Sequence, residues 1–363
     1  MARVVFWLGP TIAGKFDPRT AIGTGIGGSE TAAIHLTREL AALGHEVLVF
    51  ADVVGQGTHQ GVEWRHGNDF PADLPCDLFI SSRHPEALRA LRPRCRRKWL
   101  WVHDLHCGPD WEGAIGDYDR VLCLTRWARE KFLAYYPGQG PAKVCQTSNA
   151  VDLTAFSGHP GRPGDQHLYY QAGKVPLRAT YSSSPDRGLD ELLDLWDAVR
   201  SMVAPRLAEL HVYYGFETWK RLAELHDSDV ERSRVERLEA RLMDTAGVYH
   251  HGRAGQHEVA RSYMQSQLWL YPTDFLETSC ITAMEAQAAH CKIVATKCGA
   301  LPETAPGAWF VDGPTTRPGY RAAFLANVHA ALCDDSVVVQ TPRTWMDVAR
   351  EWDGWLRGEI FDE

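Results

Sequence analysis

Several features that mark common protein classes are missing from this sequence of 363 residues. Its nine cysteines include no C-x-x-C pair, so we interpret them as reduced core residues rather than disulfide or zinc ligands. No run of about 18 apolar residues, the length of a membrane span, occurs. The formal net charge of −8 disfavours a protein that binds mainly through DNA phosphates. We therefore expect a soluble, cytoplasmic protein.

Metal-binding patterns are also weak. The segment His103 to Cys107 contains two histidines and a cysteine, but no distant pair has the spacing of metal ligands. The D-x-D string Asp227-Ser228-Asp229 lies in a charge-rich stretch, which is typical of a solvated helix. The sequence therefore predicts no metal site.

The length and the alternation of apolar segments predict two α/β domains. Residues 4–8 and 46–51 have the apolar runs of buried strands, and residues 29–43 between them have helical periodicity. Strands that alternate with helices imply parallel sheets with helices on both faces. The predicted organisation is a first Rossmann-like domain at 1–157, a linker at 158–173, a second domain at 174–340 and a C-terminal segment at 341–363.

The C-terminal segment carries an apolar stripe at helical spacing. Trp345, Val348, Trp352, Trp355 and Leu356 would share one face of a helix, and such a face needs a partner surface. Two α/β domains would leave a cleft at the carboxyl ends of their strands, where open sheets bind ligands.

The glycine-rich loop from Gly23 to Glu30 follows a strand and opens a helix. Backbone N–H groups at Gly27 and Gly28 would be suited to contact phosphate there. The loop lacks the lysine of a Walker motif and equally fits a tight turn with Ser29 as helix N-cap.

Two glutamates stand eight positions apart in the second half. Glu277 and Glu285 flank a loop-to-helix junction, and the N–H groups of Thr278, Ser279, Cys280 and Ile281 would form an open helix N-terminus that attracts an anion. The alternative is that Glu277 only caps the helix and Glu285 lies on the surface.

Arg187 lies in a third turn between a strand and a helix, beside Gly188. A guanidinium at a helix N-terminus can grip a phosphate through two charge-assisted hydrogen bonds. The alternative is an arginine exposed to solvent with no ligand.

These elements, in this order, resemble the GT-B fold nucleotide-sugar glycosyltransferases, and specifically the retaining family 4. The resemblance covers nearly the whole chain. It includes the helix end Leu43-Gly44-His45-Glu46-Val47, the segment Asn149 to Asp152, the Arg187-Gly188 turn, the paired glutamates and the segment Thr296 to Glu303. It also implies that the terminal helix crosses back onto the first domain.

The resemblance implies roles for individual residues in binding a nucleoside-diphosphate sugar. Glu277 would hold the sugar hydroxyls, Glu285 would bind the ribose, and residues 278–281 would meet the diphosphate. Arg187 matches the family's basic diphosphate ligand, and His103 matches a histidine near the transferred sugar.

The resemblance further places Arg253, after a predicted strand, near the nucleotide base. It implies transfer with retention, without a metal ion or other cofactor, from a UDP- or GDP-sugar. The leaving phosphate would then serve as the base.

Two departures from the family pattern concern the donor site. A second basic residue is expected some six positions before Arg187, where this sequence has Tyr181-Ser182. Arg253 or Arg178 could supply that charge. The family's aromatic residue and glycine after the first glutamate are replaced by Ser279 and Cys280.

Other functions remain open from the sequence. They are a nucleotide-sugar epimerase or phosphorylase on the same fold, and a nucleotide-sugar binding protein without turnover. The acceptor is open as well: a glycan, a lipid, a small molecule or a modified nucleic acid base. The basic cluster from Arg92 to Lys98 is either a solvated loop or a contact for anionic lipid or modified DNA.

Overall fold

The computed structural model describes residues 1–11, 14–108, 111–157, 176–334, 336 and 341–360. The chain divides into two units. The first consists of Met1–Ala21, Ile26–Ala150 and Arg343–Glu363, and the second of Ile22–Gly25 and Val151–Pro342. The predicted linker at 158–173 lies outside the described residues.

The first unit is built on an eight-stranded sheet. Its strands are β1 (Arg3–Gly9), β2 (Glu46–Ala51), β3 (Gly57–His59), β4 (Val62–His66), β5 (Pro75–Ser82), β6 (Arg94–Val102), β7 (Arg120–Cys123) and β8 (Val144–Gln146). They are ordered β3-β4-β2-β1-β5-β6-β7-β8, and all neighbours pair in parallel except β3 with β4.

Apolar side chains explain why the central strand β1 is buried. Val4, Val5 and Phe6 of β1 are fully buried, as expected for a strand covered by helices on both faces. The antiparallel pair β3–β4 was not predicted, because its short segments carry polar residues rather than an apolar run.

Helix α1 (Pro18–Gly23) begins in the first unit, and its last two residues belong to the second. The first unit also contains helices α2 (Gly28–Ala42), α3 (Ala87–Leu91), α4 (Glu112–Gly116) and α5 (Arg126–Tyr135). Helix α2 buries Ala33, Leu36 and Leu40, in keeping with the helical periodicity of residues 29–43. Gly44 has a φ of +90° just beyond the helix end, a conformation that glycine adopts without steric cost.

The second unit contains a six-stranded, all-parallel sheet. Its strands are β9 (Leu177–Tyr181), β10 (Ala208–Tyr213), β11 (Val248–Gly252), β12 (Leu268–Tyr271), β13 (Lys292–Thr296) and β14 (Trp309–Val311). The order is β11-β10-β9-β12-β13-β14. Strands β9 and β12, which carry the site described below, are therefore neighbours at the centre.

Helices α6 (Leu189–Val203), α7 (Glu217–Leu225), α8 (Asp229–Asp244), α9 (Gln256–Met264), α10 (Ile281–Ala288), α11 (Leu301–Thr304) and α12 (Tyr320–Cys333) complete the second unit. The charged stretch before β11 forms two helices, α7 and α8. Asp227 has a φ of +47°, and the Ser228 side chain accepts a hydrogen bond from the Glu231 N–H, so helix α8 begins with its own N-cap.

The last helix, α13 (Trp345–Ile360), packs on the first unit, as the sequence predicted. Trp352 stacks on Phe6 at 6.4 Å and meets Trp101 edge-on at 5.1 Å. Its Nε1 donates a hydrogen bond to Thr147 Oγ1 at 2.8 Å. Aromatic burial and a satisfied indole N–H together fix the helix. Within the described ranges, no helix combines the length and the apolar character that crossing a bilayer requires.

Candidate functional site

Arg187 and Glu277 meet at the carboxyl edge of the second sheet. Arg187 follows β9 and Glu277 follows β12, so parallel neighbouring strands deliver both side chains to one edge. Arg187 Nη1 lies 3.3 Å from Glu277 Oε1 and 3.4 Å from Oε2. The structure thus brings together two residues that are 90 positions apart.

The guanidinium of Arg187 is held on several sides but not fully satisfied. Its carbon lies 4.1 Å from the centre of the Phe275 ring, a cation–π contact. Burial acts to lower the pKa of Arg187, but the Glu277 carboxylate together with Tyr271, Asp186 and Tyr214 outweighs it and raises the pKa above its ordinary value. The buried Nε has no hydrogen-bond partner among the described residues. A buried donor of this kind is suited to a ligand oxygen.

Glu277 is a buried carboxylate, 5% exposed, in a loop whose backbone is also fixed. Its carbonyl accepts a hydrogen bond from the Ala300 N–H at 2.8 Å. Gly299 has a φ of +57°, and a Cβ there would lie 2.6 Å from the Glu277 carbonyl oxygen. Glycine is therefore needed at 299 for conformation and for space.

Gly188 links the arginine turn to the end of β12. Its φ is +107°, and a Cβ would lie 2.2 Å from the Pro272 carbonyl oxygen. Helix α6 begins directly after Gly188, which is its N-cap. The close backbone approach fixes Arg187 relative to the loop that carries Glu277.

Glu285 lies in helix α10 and is also 5% exposed. Burial raises the pKa of Glu285 to about 7, and a side-chain hydrogen bond from Gln256 opposes that rise. The alternative of a surface position for Glu285 is therefore wrong. Among the described residues the Glu285 carboxylate has one amide donor and no cation beside it, and a buried carboxylate of this kind is expected to bind further hydroxyl donors.

The N-terminus of helix α10 is open. The helix begins at Ile281, with Cys280 as N-cap, no side-chain cap and no acidic residue in the first turn. The N–H groups that lack an intrahelical partner therefore start at Cys280 and Ile281, while Thr278 and Ser279 belong to the preceding loop. This corrects the prediction that all four residues contribute helix N–H groups. The dipole of α10 still favours an anion at this end.

Arg178 is in the wrong place to replace the missing basic residue. It lies near the start of β9 and pairs with Glu209 of β10 at 3.1 Å, whereas Arg187 follows the other end of β9. The idea that Arg178 supplies the second charge is therefore wrong. Ser182, at the end of β9, instead pairs with the Tyr263 hydroxyl at 2.6 Å.

Arg253 follows β11, on the same edge of the sheet. Its Nη2 donates to Thr218 Oγ1 at 3.2 Å, and its guanidinium lies 5.2 Å from the Tyr214 ring centre. Both contacts are uncharged, so the positive charge of Arg253 is not neutralised by them.

Gly27, Gly28 and His103 belong to the first unit. Gly27 is the N-cap of α2, which begins at Gly28. The alternative with Ser29 as N-cap is therefore wrong. A Cβ on Gly27 would lie 2.3 Å from Oε2 of Glu30, so the glycine makes room for this buried carboxylate.

His103 follows β6, and its ring packs 4.3 Å from that of Trp101. Burial, together with the nearby charge of Arg83, lowers the pKa of His103 to about 3. The imidazole is therefore neutral near pH 7. Within the part of the chain that the structure describes, no group of three or more His, Cys, Asp or Glu residues is arranged to hold a metal ion.

Three contact residues of this site were missed in the sequence. Tyr271, Phe275 and Gln256 touch Glu277, Arg187 and Glu285 respectively. The only signal for Tyr271 was its place at the end of an apolar strand, and Gln256 stands at the start of a helix. Neither pattern differs from that of an ordinary core or surface residue.

No protein-family model matches the sequence, and no curated protein matches it. Solved structures do match over nearly the whole chain. Sucrose-phosphate synthase from Thermosynechococcus elongatus has a TM-score of 0.71 at 14% identity, covering 99% of this chain and 100% of that chain. HepE from Anabaena, solved in complex with UDP and glucose, has a TM-score of 0.62 at 13% identity, with the same coverage.

WaaG, a glycosyltransferase involved in lipopolysaccharide biosynthesis, has a TM-score of 0.62 at 14% identity, covering 99% of this chain and 100% of that chain. The chain therefore has the GT-B fold, as the sequence predicted. At these identities the similarity establishes the architecture, and the function has to be argued from the residues of the site.

Proposed function

We propose that the chain is a retaining glycosyltransferase, similar to family 4, that transfers a sugar from a UDP- or GDP-sugar to an acceptor hydroxyl without a metal ion. The main observation is the pairing of Arg187 with Glu277 beside the open N-terminus of α10. HepE was solved with UDP-glucose, which supports a nucleotide sugar as the donor.

The diphosphate would be bound by Arg187 and by the N–H groups at the start of α10. The buried Nε of Arg187 has no partner among the described residues, so a phosphate oxygen would satisfy it. Helix dipole and guanidinium both favour negative charge, and these donors are fixed before the ligand arrives. The ribose hydroxyls would donate to Glu285.

In the transfer step the bond between the anomeric carbon and the phosphate oxygen breaks, and a bond from that carbon to the acceptor oxygen forms on the same face. The acceptor proton passes to the departing phosphate. Negative charge develops on the diphosphate, so Arg187 and the helix N–H groups stabilise the transition state. Neutral His103 would contact the transferred sugar by hydrogen bonding rather than by charge.

A thermal-shift panel with UDP-, GDP- and ADP-sugars tests binding, because a ligand that binds only the folded state stabilises it. We expect stabilisation by at least one UDP- or GDP-sugar in the presence of EDTA, and loss of it in Glu285→Ala. The absence of stabilisation by every nucleotide sugar would contradict the proposal.

Product analysis then separates the related activities. We expect a glycoside that keeps the anomeric configuration of the donor. A requirement for inorganic phosphate would indicate a phosphorylase, a changed sugar still attached to the nucleotide would indicate an epimerase, and binding without turnover across a broad acceptor panel would indicate a binding protein.

A further inference from the structure

Tyr271, the last residue of β12, carries a buried hydroxyl at the candidate site. The residue is fully buried, and its ring packs 4.7 Å from Trp269 and 6.0 Å from Tyr181. Burial, reinforced by the Glu277 charge, raises the pKa of Tyr271 well above its ordinary value. The hydroxyl is therefore a neutral donor whose position is set by packing.

This hydroxyl is directed at one oxygen of Glu277. It donates to Oε1 at 2.7 Å, whereas Arg187 Nη1 contacts both oxygens, Oε1 at 3.3 Å and Oε2 at 3.4 Å. Each carboxylate oxygen accepts about two hydrogen bonds. Among the described residues, Oε1 thus has two protein donors, Tyr271 and Arg187, whereas Oε2 has only the Arg187 nitrogen that it shares with Oε1.

We propose that Tyr271 is a positioning residue, which fixes Glu277 so that Oε2 is the oxygen offered to the hydroxyl groups of the donor sugar. This inference rests on the proposed function. Because the interaction concerns the sugar rather than the nucleotide, Tyr271 contributes to discrimination among donor sugars and little to nucleotide affinity. A fixed acceptor rejects a sugar whose hydroxyl points elsewhere, since the acceptor is then left unsatisfied.

A tyrosine that only supports the core would give a different result. Removing its hydroxyl would lower the stability of the fold and weaken every ligand by a similar factor. A positioning role instead changes the ratio of two affinities that are measured on the same variant, and that ratio is independent of the fraction of protein that is folded.

The test compares Tyr271→Phe with Tyr320→Phe. Tyr320 is also buried, 4% exposed, and its hydroxyl pairs with Thr296 Oγ1 at 2.6 Å, so the control removes an equivalent hydroxyl. Calorimetric titration gives Kd for UDP, UDP-glucose and UDP-galactose, or for GDP, GDP-glucose and GDP-mannose if the wild type prefers guanine.

In Tyr271→Phe we expect the Kd of the free nucleotide to change less than about 2-fold. The ratio between the preferred sugar nucleotide and its epimer should fall about 3- to 10-fold, which is the net contribution of about one hydrogen bond. Tyr320→Phe should keep the wild-type ratio. An unchanged ratio in Tyr271→Phe overturns the inference alone, whereas a wild type that binds no nucleotide sugar overturns the proposed function first.

If Tyr271→Phe does not fold, Glu277→Gln tests the same geometry. The Tyr271 hydroxyl would hold the amide oxygen, so the amide nitrogen would face the sugar in place of Oε2. We then expect the nucleotide to bind and the preference between epimers to disappear. A preference equal to that of the wild type would contradict the assigned orientation.

Discussion

The turns before α2 and α6 carry side chains of opposite charge, although each ends in a glycine that caps the helix. In the first unit Gly27 caps α2, and the nearby Glu30 carboxylate takes hydrogen bonds from the Thr11 and Ser29 hydroxyls. In the second unit Gly188 caps α6 directly after Arg187. The two glycines differ in backbone conformation, extended at Gly27 with a φ of −70° and left-handed at Gly188 with a φ of +107°, and the turns present an acidic group in one unit and a basic group in the other.

The two arginines near these turns differ in how many of their N–H groups have hydrogen-bond partners. Arg83 of the first unit pairs with Asp104 at 2.8 Å and also contacts Ser29. Arg187 of the second unit contacts Glu277 through one nitrogen, Nη1, and its buried Nε has no hydrogen-bond partner in the described ranges. The unsatisfied donor favours the second unit as the place where a diphosphate would bind.

The largest expected effect tests that assignment. Arg187→Ala removes the guanidinium and leaves Glu277 buried without its cation. We expect nucleotide affinity to fall about 100-fold and transfer about 1,000-fold, as for the loss of a preorganised donor to developing charge. Calorimetry and initial rates measure the two effects.

Two further variants sharpen this experiment. Arg187→Lys keeps the charge and should recover part of the affinity, whereas Arg237→Ala, on the exposed face of α8, should leave it unchanged. Wild-type affinity in Arg187→Ala would show that the diphosphate is bound elsewhere.

The next effect concerns stability. The raised pKa of Glu285, about 7 instead of 4.5, means that the folded state retains a proton that the unfolded state loses. The free energy of unfolding should therefore decrease as pH rises from about 4.5 to 7. Glu285→Gln removes this cost and should stabilise the protein by up to about 3 kcal/mol at pH 8, with little change at pH 4, while weakening nucleotide binding.

Urea denaturation at both pH values measures the difference. Glu224→Gln, at an exposed position of α7, is the matched control and should change stability at neither pH. If Glu285→Gln and the wild type were equally stable at pH 8, burial of the ionised Glu285 carboxylate would not destabilise the fold, and the prediction would be contradicted.

A smaller effect is expected from the first unit. With a pKa lowered to about 3, His103 stays neutral between pH 5 and 9, so its ionisation should not appear in the pH dependence of kcat. His103→Asn keeps a hydrogen-bonding group and should lower kcat about 10-fold without changing the shape of that profile. If the pH profile of the wild-type kcat had a limb near pH 6.5 that disappeared in His103→Asn, the lowered pKa of His103 would be contradicted.

The smallest effect is expected from Arg178→Ala. Arg178 and Glu209 are partly exposed, at 25% and 20%, and a solvent-screened pair contributes only about 0.5 kcal/mol. Nucleotide affinity should change less than 2-fold. A large loss of affinity would restore Arg178 as the second basic ligand.

The sequence predicted continuous apolar strands well and polar or tertiary features poorly. The predicted strand at residues 46–51 is β2 with the same bounds, and the predicted strand at residues 4–8 lies within β1, because their apolar runs are largely buried. The β3–β4 pair has no such run. The contact of Tyr271 with Glu277 depends on how the loop after β12 folds back on the end of that strand. The spacing of residues in the sequence does not encode this.

The central claim is that the second unit binds the diphosphate of a sugar nucleotide at Arg187 and the start of α10. A crystal structure of the protein soaked with UDP or GDP tests it most directly. We expect phosphate oxygens within about 3 Å of the Arg187 guanidinium and of the backbone N–H groups at Cys280 and Ile281. Nucleotide density at another site, with Arg187 still contacting only Glu277 and Phe275, would contradict the claim.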